Sequence, residues 1–204
     1  VTVNVVKPGK TGADEIKAMM DNFRALDAHS IIGKDLDSLA DDVSFGVAPS
    51  LIVFSLFKEM DYSGAMESLA GVFPYLAFLL SVFSALRLAK FNNDTRQTSS
   101  FVGLPVPANA LFWASLVTGA HDWLVSSNFH PVYLLLLVCL FSWLLVSEIP
   151  MFSLKFKNLS WKDNKTSFIF LLVCIPFLIF LGICSFSAII VWYILLSLIT
   201  RKSK

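Results

Sequence analysis

The sequence predicts an all-α fold, a polytopic membrane helix bundle of about six transmembrane helices with both termini in the cytoplasm. Three observations support it: the composition, the length of the apolar regions and the positions of the basic residues. Apolar residues make up 56% of the 204 residues and charged residues 15%, against roughly 25% charged residues in a soluble domain. The mean hydropathy is +0.70. With a net charge of only +1, the chain is not expected to bind nucleic acid.

Five apolar regions account for the predicted helices. They cover residues 36–57, 68–91, 106–125, 131–149 and 167–200. A transmembrane helix needs about 20 consecutive apolar residues, so each of the first four regions predicts one crossing. As one helix at about 1.5 Å per residue, the fifth region would be about 51 Å long, well beyond a hydrocarbon core of about 30 Å. We therefore expect two crossings there, with a turn near residues 182–185.

The basic residues predict the orientation of these helices. After residue 60, nearly all of them lie in three segments, 87–96, 154–165 and 201–204. The intervening loops, 58–67 and 126–130, contain one lysine between them. These two sets of loops alternate as six crossings require. Because loops rich in lysine and arginine face the cytoplasm in most membrane proteins, the alternation predicts that both termini are cytoplasmic.

The candidate chemistry lies where Gly33, Asp37 and Asp41 follow one another at intervals of four. On a helix, residues four apart lie on one face, about one turn apart. Carboxylates at the head of a transmembrane helix are costly unless they serve water, a cation or a partner. Their hard oxygen atoms suit Mg²⁺, Mn²⁺ or Ca²⁺. A solvated acidic helix start that complements the helix dipole is the alternative, and the spacing alone leaves both interpretations open.

The same three residues resemble the second half of the signature of the CDP-alcohol phosphatidyltransferase family, D-x2-D-G-x2-A-R-x8-G-x3-D-x3-D. Arg24 precedes Gly33 by eight intervening residues, as the signature requires. Three longer segments are similar to the bacterial phosphatidylserine synthase branch of this family. They are GKDLDSLADDVSFGVAPS at 33–50, SALRLAKFN at 84–92 and GLPVPANA at 103–110.

The resemblance implies the transfer of a phosphatidyl group from CDP-diacylglycerol to an alcohol, with release of CMP. In this branch the alcohol would be L-serine. Asp37 and Asp41 would bind a divalent cation, Mg²⁺ or Mn²⁺, and Asp41 would also act as general base on the attacking hydroxyl. The resemblance further implies a homodimer among the lipids of the bacterial inner membrane, with the active site facing the cytoplasm.

The resemblance also assigns contacts with the substrates. Gly33 and Ser38 would lie against the CDP moiety. Arg24, Arg87 and Lys90 are candidates for binding phosphate or the carboxylate of serine, since the arginine fork suits such groups. For Arg87 and Lys90 there is an alternative, which is anchoring of the second crossing at the basic face of the membrane.

Upstream of Arg24 the resemblance stops. The family's alanine, glycine and two earlier aspartates would fall on Phe23, Met20, Met19 and Ile16. Residues 1–23 form an atypical polar segment without a signal-peptide core or a crossing, and so sharp an edge favours a truncated, misframed or wrongly joined N-terminus. The family domain is therefore expected over residues 24–204 and N-terminally incomplete. Its activity should be severely reduced, because up to half of the metal-binding carboxylates are missing.

Two other functions fit the same sequence. One is a related transferase that uses glycerol phosphate or inositol, and the other is a transporter or non-catalytic membrane protein of six crossings. Near the outer end of the third crossing, His121 and Asp122 are interpreted as an interfacial polar cap with Trp123 rather than as a catalytic pair. Glu148, near the end of the fourth crossing, is expected to be interfacial as well.

Overall fold

The computed structural model describes residues 31–62, 64–93, 101–151 and 164–201. Within them the chain forms seven α-helices, which confirms the predicted fold class. The helices are α1 (Ile31–Asp42), α2 (Ala48–Glu59), α3 (Leu79–Asn93), α4 (Val106–Val125), α5 (Pro131–Val146), α6 (Lys165–Phe180) and α7 (Ser185–Arg201). Shorter pieces complete the order: a π-helical segment at Val43–Val47, and 3-10 segments at Gly64–Leu69, Phe73–Phe78 and Gly182–Cys184. Two short strands, β1 (Phe101–Val102) and β2 (Pro150–Met151), pair antiparallel.

The chain divides into two compact units, residues 1–37 and residues 38–204. The described part of the first unit is residues 31–37, which form the first half of α1. The second unit contains the rest of α1 and all the other described elements. The packing described below is that of the second unit.

The described helices account for the six predicted crossings. Three helical stretches are long and apolar enough to cross a membrane: Asp35–Glu59, Phe73–Asn93 and Gly182–Thr200. Helices α5 and α6 are apolar but shorter, and α4 has 20 residues. Their outer surfaces carry apolar side chains, such as Ile179 and Phe180 of α6, which are 70% and 82% exposed. Such surfaces suit lipid rather than water.

The fifth apolar region forms two helices, as its length predicted. Helix α6 ends at Phe180, and α7 begins at Ser185 after the short segment Gly182–Cys184. Gly182 has a φ of +54°, in the left-handed region that glycine adopts without steric cost. The expected turn near residues 182–185 is therefore confirmed.

Polar contacts show which helix ends lie together at each end of the bundle. At one end, Asn92 in the last turn of α3 contacts Ser38 of α1, and β1, before α4, pairs with β2, after α5. At the other end, Glu59 of α2 contacts His121 near the end of α4. The continuous α1–α2 stretch and α4 therefore run in one direction, and α3 and α5 run in the other, in agreement with the alternation of basic and non-basic loops.

Aromatic side chains fix α4 against α5 in the core. Phe112 of α4 stacks on Phe141 of α5, with 3.9 Å between the ring centroids. Trp113 is fully buried and meets the same Phe141 ring edge-on at 5.6 Å. Its indole N–H donates to Asn109 Oδ1 one turn earlier, at 3.2 Å. Aromatic pairs of this kind add about 0.5–1.5 kcal/mol beyond the area they bury, so they help to set how these two helices pack.

Small residues let α4 and α7 approach closely. Ser187 of α7 donates a hydrogen bond to the Phe112 carbonyl at 3.0 Å, and its Oγ lies 2.5 Å from Ser115 Oγ. A Cβ at Gly119 would lie 2.5 Å from Cys184 Sγ, so a larger residue is excluded at this position. Close contact of this type, with hydrogen bonds between helices, is typical of packing within membranes.

Candidate active site at the α1 end of the bundle

The predicted carboxylates both lie in α1. Asp37 is exposed and belongs to the first unit, whereas Asp41 is half-buried in the last turn of the helix and belongs to the second. Gly33 lies in the same helix and is exposed. Arg24 lies outside the described residues. The predicted helix is therefore present. Of the two predicted carboxylates, Asp41 is the one that belongs to the second unit, together with the helices around it.

A glycine brings the end of α1 close to α3. Gly46, in the π-helical segment after α1, is buried. A Cβ at this position would touch the Asp42 carboxylate and would lie 3.0 Å from Ser84 Cβ of α3. The absence of a side chain therefore allows this segment, and with it the last turn of α1, to pack directly on α3.

Arg87 of α3 is the basic group that faces this end of α1. Its side chain is buried, with 7% exposure, and its charge lies within electrostatic range of Tyr193 and of Asp41. The guanidinium carbon lies 5.2 Å from the centre of the Phe91 ring, a cation–π distance. Burial of this extent does not fit anchoring at the membrane face, the alternative considered for Arg87.

Two further buried polar atoms accompany those of this arginine. Among the described residues, Arg87 Nε and Nη2, Asp42 Oδ1 and Ser84 Oγ are buried without a hydrogen-bond partner. Buried polar groups nearly always have partners, so this region is suited to a polar ligand that supplies them. The free guanidinium N–H groups in particular can bind a carboxylate or a phosphate. The sequence singled out Arg87 but missed Ser84, whose only signal was its place in the 84–92 segment.

Lys90 and Ser38 have protein partners. Lys90 Nζ forms an ion pair with the Glu148 carboxylate, which follows α5, and it lies 3.4 Å from the Val146 carbonyl oxygen. Ser38 Oγ accepts a hydrogen bond of 2.7 Å from Asn92 Nδ2. Neither Glu148 nor Asn92 was predicted as part of a site, although Asn92 ends the segment at 84–92.

The acidic residues of α1 meet part of what a divalent cation needs. Within the described part of the chain, no group of three or more His, Cys, Asp or Glu side chains is close enough to hold a metal ion. Mg²⁺, however, is usually held by one or two carboxylates together with substrate phosphates and water. The carboxylates of Asp37 and Asp41 fit such a partial set in their chemistry.

A second polar group lies at the opposite end of the bundle. His121 Nε2 lies 3.0 Å from Glu59 Oε2, and His121 Nδ1 lies 3.6 Å from Asp122 Oδ1. Trp123 is 57% exposed beside them. This arrangement agrees with the interpretation as an interfacial cap, and it adds Glu59, which the sequence did not single out.

Tyr62 follows α2 at the same end as this cap. Its hydroxyl donates to the Phe57 carbonyl at 2.9 Å. Burial raises the pKa of Tyr62 to about 12, so the phenol stays protonated and remains a donor at neutral pH. The hydrogen bond closes the C-terminal end of α2, where carbonyl groups lack partners within the helix.

The chain resembles known phosphatidyltransferases over most of its length. Residues 23–144 match the family described as CDP-alcohol phosphatidyltransferase. A CDP-diacylglycerol–serine O-phosphatidyltransferase from Bacillus subtilis is 34% identical over 126 residues, 62% of this chain and 62% of the relative. Another from Helicobacter pylori is 30% identical over 194 residues, 89% of this chain and 76% of the relative. An archaetidylserine synthase from Methanothermobacter thermautotrophicus is 35% identical over 98 residues, 48% of this chain and 38% of the relative.

Proposed function

Because the chain belongs to the CDP-alcohol phosphatidyltransferase family, we propose that it transfers a phosphatidyl group from CDP-diacylglycerol to L-serine and releases CMP. The observation that carries this proposal is the buried arginine Arg87, whose guanidinium has donors without partners among the described residues and which lies on the helix that contacts α1 at Ser38. Serine has a hydroxyl that a carboxylate can deprotonate and a carboxylate that a guanidinium can bind. The names of the relatives from Bacillus subtilis and Helicobacter pylori support serine as the alcohol.

Asp41 acts as the general base in this proposal. It accepts the proton of the serine hydroxyl while the hydroxyl oxygen attacks the phosphorus atom of the phosphatidyl group. A phosphorus–oxygen bond to serine forms, the bond to the bridging pyrophosphate oxygen breaks, and CMP leaves with the electron pair. Positioned bases typically contribute about 10²- to 10⁴-fold to such a rate. A divalent cation, Mg²⁺ or Mn²⁺, held by Asp37 and Asp41, would neutralise the pyrophosphate and the charge on the departing CMP.

Arg87 binds the carboxylate of the acceptor serine in this proposal. Its Nε and Nη2 atoms are buried and have no hydrogen-bond partner among the described residues, and they match the two oxygens of a carboxylate. Gly33 and Ser38 remain proposed contacts of the CDP moiety, as the family implies. Arg24 and Lys90 remain candidates for phosphate, and substrate would compete with Glu148 for Lys90.

The chain is an integral membrane protein, and we place it in the bacterial inner membrane with the α1 end facing the cytoplasm. Of the basic residues that predict this orientation, Arg87 and Lys90 lie in the second half of α3, near Asn92, which contacts Ser38. Basic loops mark the cytoplasmic face. A homodimer is part of the proposal on the strength of the family alone.

Turnover by this chain should be slow. Ile16 and Met19 stand where the family signature has its first two aspartates. In the presence of Mg²⁺ or Mn²⁺ in detergent, we expect serine-dependent CMP release at least about 100-fold slower than that of the Bacillus subtilis relative, since metal-bound charge contributes several kcal/mol to such reactions. Glycerol phosphate and inositol should release no CMP above the alcohol-free background. Equal turnover would contradict the slow rate, and release with glycerol phosphate or inositol but not serine would contradict the acceptor.

Replacing Arg87 tests its contact with the acceptor. In Arg87→Gln we expect the KM for L-serine to rise about 10- to 100-fold, the effect of losing hydrogen bonds to a charged group. The KM for CDP-diacylglycerol should change less than about threefold if this contact is confined to the acceptor. Arg87→Lys keeps the positive charge but loses the planar guanidinium that binds both carboxylate oxygens. Its KM for L-serine should therefore lie between those of the unmodified chain and of Arg87→Gln. Lys58→Gln, at the opposite end of the bundle, is the control, and an unchanged KM for serine in Arg87→Gln would exclude the contact.

A further inference from the structure

The part of α1 that carries Asp41 is not oriented by apolar packing. Within residues 38–42 no apolar side chain is buried, and Leu39 is 62% exposed. By contrast, Val53 and Phe57 of α2 are fully buried. The two helices are joined by the π-helical segment Val43–Val47, whose wider turn changes the helical register. The faces of α1 are therefore offset from those of α2, and the face that meets α3 is not the continuation of the buried face of α2.

A polar contact with α3 does connect to this part of α1. Asn92 Nδ2 donates a hydrogen bond of 2.7 Å to Ser38 Oγ, and both side chains are half-buried. Ser38 and Asp41 are three residues apart on α1, so they are neighbours on the helix surface. The same helix α3 also carries Arg87, whose charge lies within electrostatic range of Asp41. The hydrogen bond to Ser38 and the cation near Asp41 thus come from one helix.

We infer that Asn92 is a positioning residue, whose hydrogen bond to Ser38 holds α1 in the rotation that presents Asp41 to Arg87 and to the acceptor hydroxyl. The catalytic consequence rests on the proposed function, whereas the structural consequence does not. In reactions that depend on alignment, a displacement of about 1 Å can cost about 100-fold in rate. A side-chain contact beside Asp41 can therefore have a large effect on turnover.

The structural arm of the test measures the position of α1 directly. Spin labels are placed on Leu39→Cys of α1 and Leu86→Cys of α3, both exposed, after the three native cysteines are replaced by alanine. Asn92→Ala should broaden or shift the distance distribution between the labels. Asn93→Ala is the matched control, because Asn93 is exposed and donates within its own helix, to the Ala89 carbonyl at 2.9 Å. An unchanged distribution in Asn92→Ala would overturn the inference.

The kinetic arm measures what this position does for turnover. We expect Asn92→Ala to lower kcat for serine-dependent CMP release about 10- to 100-fold, with less than about a threefold change in the KM for CDP-diacylglycerol. Ser38→Ala should have a similar effect on kcat. The double variant should be no slower than the slower single variant, because both remove the same hydrogen bond. Asn93→Ala should match the unmodified chain.

The two arms separate the possible failures. A distance distribution that changes in Asn92→Ala, in a chain that releases no CMP with serine, would overturn the proposed function and support the positioning of α1. Serine-dependent release combined with additive losses in the double variant would support the function and overturn the role of the hydrogen bond. A fall in kcat with an unchanged distance distribution would likewise overturn the positioning role.

Discussion

Asp41→Asn abolishes the serine-dependent release of CMP, with a loss of about 1,000-fold or more. The substitution keeps the size of the side chain but removes the base, for which about 10²- to 10⁴-fold is typical. It also removes one of the two carboxylates proposed for the divalent cation. Because the unmodified chain is itself expected to be slow, the measurement needs radiolabelled CDP-diacylglycerol and long incubations, with the alcohol-free rate as the background.

The control for this prediction is another acidic residue of α1. Asp35 is exposed on the same helix, and Asp35→Asn removes the same charge without removing the proposed base. It should retain the rate within about threefold, since an exposed charge at this distance is screened by solvent. If Asp41→Asn kept more than a tenth of the rate, or if both variants lost it equally, a specific role of Asp41 would be ruled out.

Gly103→Ala destabilises the protein by about 3 kcal/mol, because it combines an unfavourable backbone conformation with a clash. Gly103 has a φ of +77°, and a Cβ there would lie 2.6 Å from the Leu145 carbonyl oxygen and 3.0 Å from that of Ser147. A left-handed conformation costs other residues about 1–2 kcal/mol, and overpacking typically costs about 1–3 kcal/mol. The clash would also disturb the hydrogen bond of 2.9 Å from the Gly103 N–H to the Ile149 carbonyl.

Two other glycines separate these contributions. A Cβ added at Gly71, which is exposed, would meet nothing within 4 Å, whereas Gly182 has the positive φ of +54° but equally open surroundings. The midpoint of thermal unfolding in detergent should therefore hardly change in Gly71→Ala. It should fall by about 2–8 °C in Gly182→Ala and by about 6–12 °C in Gly103→Ala, at about 2–4 °C per kcal/mol. Equal midpoints for Gly103→Ala and Gly182→Ala would show that the carbonyl contacts of Gly103 do not matter.

The helices were predictable where length and local sequence decide them. The apolar region at 106–125 coincides with α4, Val106–Val125, because Pro105 precedes its first turn and cannot continue a helix upstream. The turn near 182–185 followed from the excessive length of one apolar region. The π-helical segment at Val43–Val47 was not predicted, since it depends on the packing of Gly46 against Ser84 of a distant helix. The pairing of β1 with β2 was missed for the same reason.

The site shows a similar division. The spacing and the family resemblance selected Asp37 and Asp41 as candidate carboxylates, and this role stays a prediction, whereas the family itself is confirmed. The partners of the other candidates were not predictable. Lys90 pairs with Glu148, 58 residues away, and Ser38 pairs with Asn92, 54 residues away. A sequence read alone gives the chemical type of each side chain, but which polar groups meet depends on how helices pack.

The close packing of α4 against α7 has a consequence for how the chain assembles in a bilayer. Lipid tails solvate leucine as well as a neighbouring helix does, so α6 and α7 gain little by leaving the lipid for the rest of the bundle. Their packing against the rest of the bundle is favoured by two features. The Ser187 hydroxyl donates a hydrogen bond to the Phe112 carbonyl, and Gly119 leaves space for a close approach. The final hairpin is therefore expected to insert as an independent unit and to find its place afterwards by fit. A single bulky residue at Gly119 would leave the α6–α7 hairpin inserted in the membrane but not packed against α4. The bundle would then fail to assemble, although the helices would still enter the membrane.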